Sequence, residues 1–213
     1  MRVKICGVTR AEDARLASHL GAWAVGLMFV KGSPRALDLE AAKRLRSAIP
    51  PGTLAIGVFA DADAETIRKA VEACRLDAVQ LHGSESPQDC AAAGAAAYKA
   101  VSFAEPGDVA GLAAYSGRVA GFFLETVRRL PEGREKLREA ELSRRWLLAR
   151  DASRYGTIIL CGELTPENVA QAVKTAQPAG VDVSGGVESA PGVKDPAALK
   201  AFFAAVRSAQ PTL

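Results

Sequence analysis

Two residues in the sequence could supply acid–base chemistry, Cys6 and Glu125. Cys6 ends the apolar run Val3–Cys6, and Glu125 directly follows Phe122-Phe123-Leu124. A thiol has an ordinary pKa of about 8.5 and becomes a base or nucleophile where its surroundings favour the thiolate. A carboxyl group beside apolar neighbours tends to have a raised pKa and can act as an acid. If they face each other across a pocket, they would suit proton transfer on a small molecule. Alone, the thiol could be packing, and the carboxyl a solvated or salt-bridged residue.

Glycines follow two further apolar runs. Gly162 comes after the run that ends at Cys161, and Ser184-Gly185-Gly186 closes the run that begins at Val181. Glycines between a strand end and a helix start let backbone N–H groups approach an anion. Tight turns that simply require glycine remain the alternative. Since phosphate sites recur at such turns, we predict that Gly162, Ser184, Gly185 and Gly186 bind a phosphorylated small molecule.

Three more polar residues are candidates for binding the substrate. Arg35 has the planar guanidinium that grips a carboxylate, although it could be an ordinary surface arginine after Pro34. His82 follows the apolar run Ala78–Leu81. Asp182 lies inside an apolar run, and it either binds substrate or pairs with a lysine such as Lys4.

These residues need a scaffold that brings distant chain segments together. Short apolar runs predict strands at Val3–Cys6, Trp23–Phe29, Leu54–Phe59, Ala78–Leu81, Ala97–Val101, Val119–Leu124, Thr157–Cys161 and Val181–Ser184. Helices are predicted at Ala11–Leu20, Leu39–Ala48, Ala64–Cys74, Ser86–Ala93, Glu105–Tyr115, Pro166–Thr175 and Pro196–Val206. Strands without strict alternation are covered on both faces, and repeated βα order favours a parallel sheet.

Eight such alternations predict an α/β fold, a single-domain (βα)8 TIM barrel over residues 1–213. A doubly wound open sheet is the structural alternative. In the barrel, functional residues lie at the C-terminal ends of the strands and in the loops that follow, where all the candidates above except Asp182 fall. We find no internal repeat and no linker that would divide the chain.

Composition excludes several classes of protein. The chain is 49% hydrophobic and 24% charged, which is ordinary for a globular protein. The net charge of +3 (27 − 24) is too small to favour nucleic-acid binding. There is neither an apolar run of about 18 residues nor a signal peptide, so we expect no membrane partner and a cytoplasmic location. The four cysteines form no Cys-x-x-Cys pair, and with two histidines they predict neither a metal site nor a disulfide framework.

One segment, residues 128–147, departs from this rhythm because it carries eleven charged residues. They are Arg128, Arg129, Glu132, Arg134, Glu135, Lys136, Arg138, Glu139, Glu141, Arg144 and Arg145. The plainest interpretation is a solvated loop and helix face. A lid over the barrel mouth or a partner-binding surface is the alternative.

Several motifs, in order and spacing over nearly the whole chain, resemble the phosphoribosylanthranilate isomerase family. They are Lys4-Ile5-Cys6-Gly7-Val8-Thr9-Arg10, Ser33-Pro34-Arg35, Gly57-Val58-Phe59, Val79-Gln80-Leu81-His82-Gly83, Leu164-Thr165-Pro166-Glu167-Asn168-Val169 and Gly186-Val187-Glu188 through Pro191-Gly192-Val193-Lys194. The resemblance implies a barrel without a cofactor. It also implies an Amadori rearrangement of N-(5-phosphoribosyl)anthranilate, with Cys6 as base, Glu125 as acid, Arg35 on the anthranilate carboxylate and the last two loops on the phosphate. We expect a monomer or a homodimer.

The sequence departs from the family pattern at the site. Glu125 stands where the family has an aspartate, Glu163 stands in place of the second glycine of a Gly-Gly pair, and the charged segment replaces a Gly-rich loop. Ser184-Gly185-Gly186 stands where the family has Ser-Ser-Gly, which is a milder change. One extra methylene moves the acid by about 1 Å, and such a displacement can cost on the order of 100-fold in rate. Two alternatives therefore remain at this point. One is a catalytically altered paralogue that binds a phosphorylated ligand, and the other is a related sugar-phosphate isomerase.

Overall fold

Eight parallel strands close into a barrel in the computed structural model, which describes residues 1–126, 129–130, 133–134 and 139–210. The barrel strands are β1 (Arg2–Cys6), β2 (Ala24–Met28), β3 (Leu54–Phe59), β4 (Ala78–Leu81), β5 (Ala96–Ser102), β6 (Gly121–Glu125), β7 (Ile158–Cys161) and β8 (Gly180–Val183). Each pairs with its neighbours in chain order, and β8 closes the ring on β1 with Lys4 opposite Asp182. The predicted barrel is confirmed, and the open-sheet alternative is wrong.

A helix follows each strand. The helices are α1 (Ala11–His19), α2 (Leu39–Arg46), α3 (Ala64–Cys74), α4 (Pro87–Ala91), α5 (Pro106–Ala110), α6 (Glu139–Asp151), α7 (Val169–Ala176) and α8 (Pro196–Ser208). Short 3-10 helices cover Gly111–Tyr115, Ala152–Tyr155 and Gly185–Val187. Two small antiparallel ribbons pair Arg129–Leu130 with Gly133–Arg134, and Glu188–Ala190 with Val193–Lys194.

Local sequence explains where most helices begin. The Asp63 side chain accepts from Thr66 N at 2.7 Å and so caps the N-terminus of α3. The helix predicted over Glu105–Tyr115 is wrong in its continuity, since α5 gives way to a 3-10 turn at Gly111. Gly107 and Gly111 weaken an α-helix there, because glycine has the greatest backbone freedom to lose.

The main apolar core lies between the strands and the surrounding helices. A second, smaller cluster fills the barrel interior: Ala24, Ile56, Ala78, Tyr98, Ala100, Phe123, Ile159 and Cys161. Cys74 and Cys90 belong to the outer core, where they pack as small apolar side chains. Among the described residues, no helix has both the length and the apolar character that crossing a bilayer requires.

The charged segment divides at residue 139. The side chains of residues 127–138 lie outside the described residues, so the lid interpretation is tested only from Glu139 onward. There the segment forms the first turns of α6, and Arg144 is an exposed side chain paired with Glu105 at 2.8 Å. Its neighbour Arg145 is buried. The solvated interpretation therefore holds for Arg144 and is wrong for Arg145.

Candidate active site

A cavity of about 950 Å³ opens at the C-terminal ends of the strands. Its lining includes all nine residues predicted from sequence for the site: Cys6, Arg35, His82, Glu125, Gly162, Asp182, Ser184, Gly185 and Gly186. The parallel barrel explains this convergence, since it brings every strand's C-terminal end to one face.

Cys6 sits beside a buried ion pair. Lys4 and Asp182, paired across β1 and β8, place Nζ and Oδ2 2.9 Å apart, so Asp182 both lines the cavity and pairs with Lys4. Burial opposes the lysine charge, but Asp182 and Cys6 outweigh it and raise the pKa of Lys4. Burial also raises the pKa of the Cys6 thiol, and Lys4 partly offsets that rise. The lysine therefore favours the thiolate that a base requires.

Glycine at position 26 makes room for this cluster. A methyl group on Gly26 in β2 would come within 2.8 Å of Cys6 Sγ and 3.1 Å of Lys4 Cε. Contacts that short force one side chain to move, so the glycine lets the thiol and the lysine share the space above β2.

Glu125 is held at the end of β6 by two polar neighbours. Its Oε2 lies 3.1 Å from His82 Nε2 and 3.3 Å from Ser102 Oγ. The Glu125 residue is only 6% exposed and lines the cavity. A carboxyl group fixed at a cavity wall beside two hydrogen-bonding side chains is suited to giving and taking a proton.

Arg35 is oriented by a second ion-pair cluster. Its Nε and Nη2 bind the two carboxylate oxygens of Glu188 at 2.9 and 2.5 Å, and Lys194 Nζ binds Glu188 Oε1 at 2.6 Å. The Arg35 side chain passes over Gly7, whose φ is +67° and whose Cβ position would overlap Arg35 Cδ. Because Glu188 fixes one edge of the guanidinium, the remaining donors can meet a carboxylate in the cavity.

Loops seven and eight, the segments that follow β7 and β8, lie against each other. A Cβ on Gly186 would overlap Leu164 O, so the two loops approach as closely as glycine permits. Residues Gly185–Val187 form a 3-10 turn, and its first two residues, Gly185 and Gly186, line the cavity. Glu163 also lines it, with a left-handed φ of +51°. The backbone needed for an anion site is present, with one carboxylate added to its wall.

Buried polar atoms at this end of the barrel have no hydrogen-bond partner among the described residues. They include Asp182 Oδ1, Ser184 Oγ and Gln80 Oε1, which belong to cavity-lining residues. A buried acceptor without a partner is costly, and a polyhydroxylated ligand would satisfy such atoms.

Cys161 also lines the cavity but differs from Cys6. Burial, reinforced by the neighbouring Glu125 carboxylate, raises the pKa of the Cys161 thiol well above its ordinary value. The Lys4 charge offsets this rise less than the acidic groups strengthen it. Burial raises the pKa of both thiols, but the leading charge beside Cys6 is Lys4 and the leading charge beside Cys161 is Glu125, so the surroundings of Cys6 favour a thiolate more.

Sequence reasoning did not single out Glu188, Lys194 and Ser102 as site residues. Glu188 and Lys194 lie within the motifs quoted above, and a charge next to a glycine turn could have marked Glu188. Ser102 directly follows the predicted strand Ala97–Val101, which could have marked it, but only the pairing of β5 with β6 places it beside Glu125. Among the described residues, no group of three or more His, Cys, Asp or Glu side chains could hold a metal ion.

Comparison with known proteins decides the family. The model of the N-(5'-phosphoribosyl)anthranilate isomerase family matches residues 3–205. The isomerase of that name from Myxococcus xanthus is 42% identical over 211 residues, covering 98% of this chain and 97% of the relative. The chain belongs to the phosphoribosylanthranilate isomerase family. This confirms the family and the isomerase activity that the sequence predicts.

Solved structures agree with this assignment. The phosphoribosylanthranilate isomerase of Thermotoga maritima superposes with a TM-score of 0.88 at 33% identity, covering 98% of this chain and 99% of that one. Another structure of such an isomerase, at 33% identity, has a TM-score of 0.84 over 98% of this chain and 99% of that one. It contains reduced 1-(o-carboxyphenylamino)-1-deoxyribulose 5-phosphate.

Proposed function

We propose that Cys6 and Glu125 are the general base and general acid of the Amadori rearrangement of N-(5'-phosphoribosyl)anthranilate. The observation that carries the proposal is their placement in one cavity. Cys6 ends β1 beside Lys4, and Glu125 ends β6 beside His82 and Ser102. Two strands separate β1 from β6 on one side of the barrel and four on the other, so the groups reach a ligand from different directions.

The reaction proceeds by successive proton transfers to and from the sugar. Glu125 protonates the furanose ring oxygen, and the bond from that oxygen to C1 breaks as the nitrogen lone pair forms a Schiff base. The Cys6 thiolate then removes the C2 proton, and the electrons of that C–H bond neutralise the iminium to give an enolamine. Protonation at C1 with loss of the C2 hydroxyl proton yields the ketone, 1-(2-carboxyphenylamino)-1-deoxyribulose 5-phosphate.

Substrate binding is divided between two regions of the cavity. Arg35, held on one edge by Glu188, binds the anthranilate carboxylate through its free donors. Gly162, Ser184, Gly185 and Gly186 bind the phosphate. Asp182 Oδ1 and Ser184 Oγ are buried and have no partner in the part of the chain that the structure describes. The carboxylate oxygen accepts from a sugar hydroxyl group, and the serine hydroxyl group donates to a substrate oxygen. His82 orients the acid through its 3.1 Å contact with Glu125.

The surroundings of Glu125 support its use in place of the family's aspartate. The longer side chain reaches both His82 Nε2 and Ser102 Oγ with the same oxygen. A carboxyl group with two fixed contacts is preorganised, which is what an acid acting on one ring oxygen requires.

The wider arrangement follows the family. The chain acts as one barrel domain, as a monomer or homodimer, in the cytoplasm. Both states occur in one relative, since a solved structure shows monomers of the dimeric Thermotoga maritima isomerase, which is 32% identical to this chain with a TM-score of 0.82.

The deciding experiment is a steady-state assay with freshly generated phosphoribosylanthranilate, in which loss of substrate fluorescence is followed. Turnover well above the uncatalysed background is expected, and Glu125→Gln should remove it. A folded protein without turnover would instead favour a paralogue that binds a phosphorylated ligand. A calorimetric titration with the reduced product analogue would then distinguish ligand binding from a collapsed site.

A further inference from the structure

Arg145 is a buried charged residue on α6, the helix that follows β6. Only 7% of the residue is exposed, although it lies on α6 beside the exposed Arg144. A buried guanidinium is unfavourable unless its donors are satisfied. Arg145 meets this condition mainly with backbone, because Nη1 donates to Phe103 O at 3.2 Å and to Thr126 O at 2.5 Å. Nη2 donates to Glu141 Oε1 at 3.0 Å, one helical turn earlier.

The two carbonyl groups belong to the segments that bracket Glu125. Thr126 is the next residue along the chain, and Phe103 N donates to Glu125 O at 3.3 Å. Phe103 also follows Ser102, whose hydroxyl contacts the Glu125 carboxylate. One nitrogen of Arg145 therefore ties together the end of β6 and the end of β5, which carry the acid and its serine neighbour.

Thr126 also connects the end of β6 to the end of β7 and to Gly162, one of the residues proposed to bind the phosphate. Its N donates to Cys161 O at 3.0 Å, and its Oγ1 lies 2.8 Å from Gly162 O. A Cβ at Gly162 would come within 2.7 Å of Thr126 N and 3.2 Å of Glu125 Cγ. The backbone around Glu125 is therefore closely packed, and the hydrogen bonds from Arg145 hold that backbone at Phe103 and Thr126.

We propose that Arg145 is a positioning residue for the general acid, acting through the backbone at Phe103 and Thr126 rather than on the substrate. The proposal rests on the proposed role of Glu125. Arg145 is absent from the cavity lining. Its loss should therefore leave binding nearly intact while the acid points away from its target, and a displacement of about 1 Å can cost on the order of 100-fold in rate.

The first test compares Arg145→Met, which keeps an unbranched apolar stem without hydrogen-bond donors, with Arg145→Lys, which keeps the positive charge and one donor nitrogen. Arg145→Met should lower kcat by about 10- to 100-fold and change KM by less than about 3-fold. Arg145→Lys should recover part of that loss. Glu141→Gln is the matched control, since it removes only the outer partner of Arg145, and it should keep the parent kcat and KM.

A double-mutant cycle separates positioning from general destabilisation. With Glu125→Gln already present, Arg145→Lys or Arg145→Met should lower the single-turnover rate by less than about 2-fold, because the group that Arg145 positions no longer acts. Losses that multiply in the double variant, or a parent-like kcat in both Arg145 variants, would overturn the proposal. If Arg145→Met does not fold, the same two readouts on Arg145→Lys decide it. A parent without turnover would refute the proposed function, whereas an active parent with unaffected Arg145 variants would refute only this inference.

Discussion

The two sides of the barrel mouth are built differently. On the β1–β8 side, ion pairs within the cavity wall hold the chemistry: Lys4 with Asp182 beside Cys6, and Lys194 with Glu188 beside Arg35. On the β6–β7 side, Glu125 Oε2 contacts His82 and Ser102, and Arg145 donates to the backbone oxygen of Thr126, the next residue along the chain.

The larger departures from the family resemblance fall on the second side. Glu125 ends β6, the charged segment follows it, and Glu163 lies in the loop after β7. On the first side, Cys6, Arg35 and Gly186-Val187-Glu188 resemble the family, and Ser184-Gly185-Gly186 is a milder departure. An interlocked ion-pair cluster tolerates little change, because removing one partner leaves another charge buried and unpaired. On the second side, an aspartate can be replaced by the longer glutamate if the surrounding backbone shifts to accommodate it. The following variants test whether that difference is real.

The largest effect is expected at Cys6. Cys6→Ala removes the proposed base, and loss of a positioned base typically costs about 10²- to 10⁴-fold in kcat. Cys74→Ala is the matched control, since Cys74 is equally buried but lies in the outer core. It should lower the melting temperature slightly and keep kcat. Steady-state kinetics on both variants check this, and a Cys6→Ala variant with near-parent kcat would remove Cys6 from its role.

Substitutions of Glu125 should have the next largest effect, and they test how well the contacts with His82 and Ser102 suit a glutamate. Glu125→Gln keeps the shape without the proton and should lower kcat by about 10²- to 10³-fold. Glu125→Asp retracts the carboxyl group by about 1 Å from His82 and Ser102, and we expect about a 10-fold loss. Faster turnover by Glu125→Asp than by the parent would show that these surroundings still suit an aspartate, contrary to the fit argued from the structure.

The pH profile tests the environment of Cys6. Burial raises the pKa of the Cys6 thiol despite Lys4, and a base must be deprotonated to act. A raised pKa moves the required deprotonation to higher pH, so kcat/KM should still rise through the neutral and mildly alkaline range, by up to about tenfold per pH unit below that pKa. The residual activity of Cys6→Ala should lack this rise. A flat profile in the parent above pH 7 would contradict the assignment.

The sequence predicted the barrel and its mouth because both depend on local signals. Short apolar runs and the turns between them located all eight strands to within about three residues, and strand ends in a parallel barrel meet at one face. The partners of the site residues were harder to predict. Lys4 was named only as a partner for Asp182, and Ser102 reaches Glu125 solely through the pairing of β5 with β6. Arg145 was predicted to be solvated because the charge density of the segment does not distinguish one arginine from the next. In the structure, the Arg144 side chain is 60% exposed and the Arg145 side chain 9%.

The smallest effect is expected at Glu163, which directly follows Gly162, a residue proposed to bind the phosphate. Its left-handed φ of +51° costs a non-glycine residue roughly 1 kcal/mol, and Glu163 lines the cavity that is proposed to receive the phosphate, where its negative charge would oppose binding. Glu163→Gly should therefore raise stability by about 1 kcal/mol and lower KM by a few-fold. Gln177→Gly is the matched control, since Gln177 has a φ of +47° at the end of α7 and does not line the cavity. It should give the stability gain alone, so an unchanged KM in both variants would mean that the Glu163 carboxylate does not oppose the phosphate.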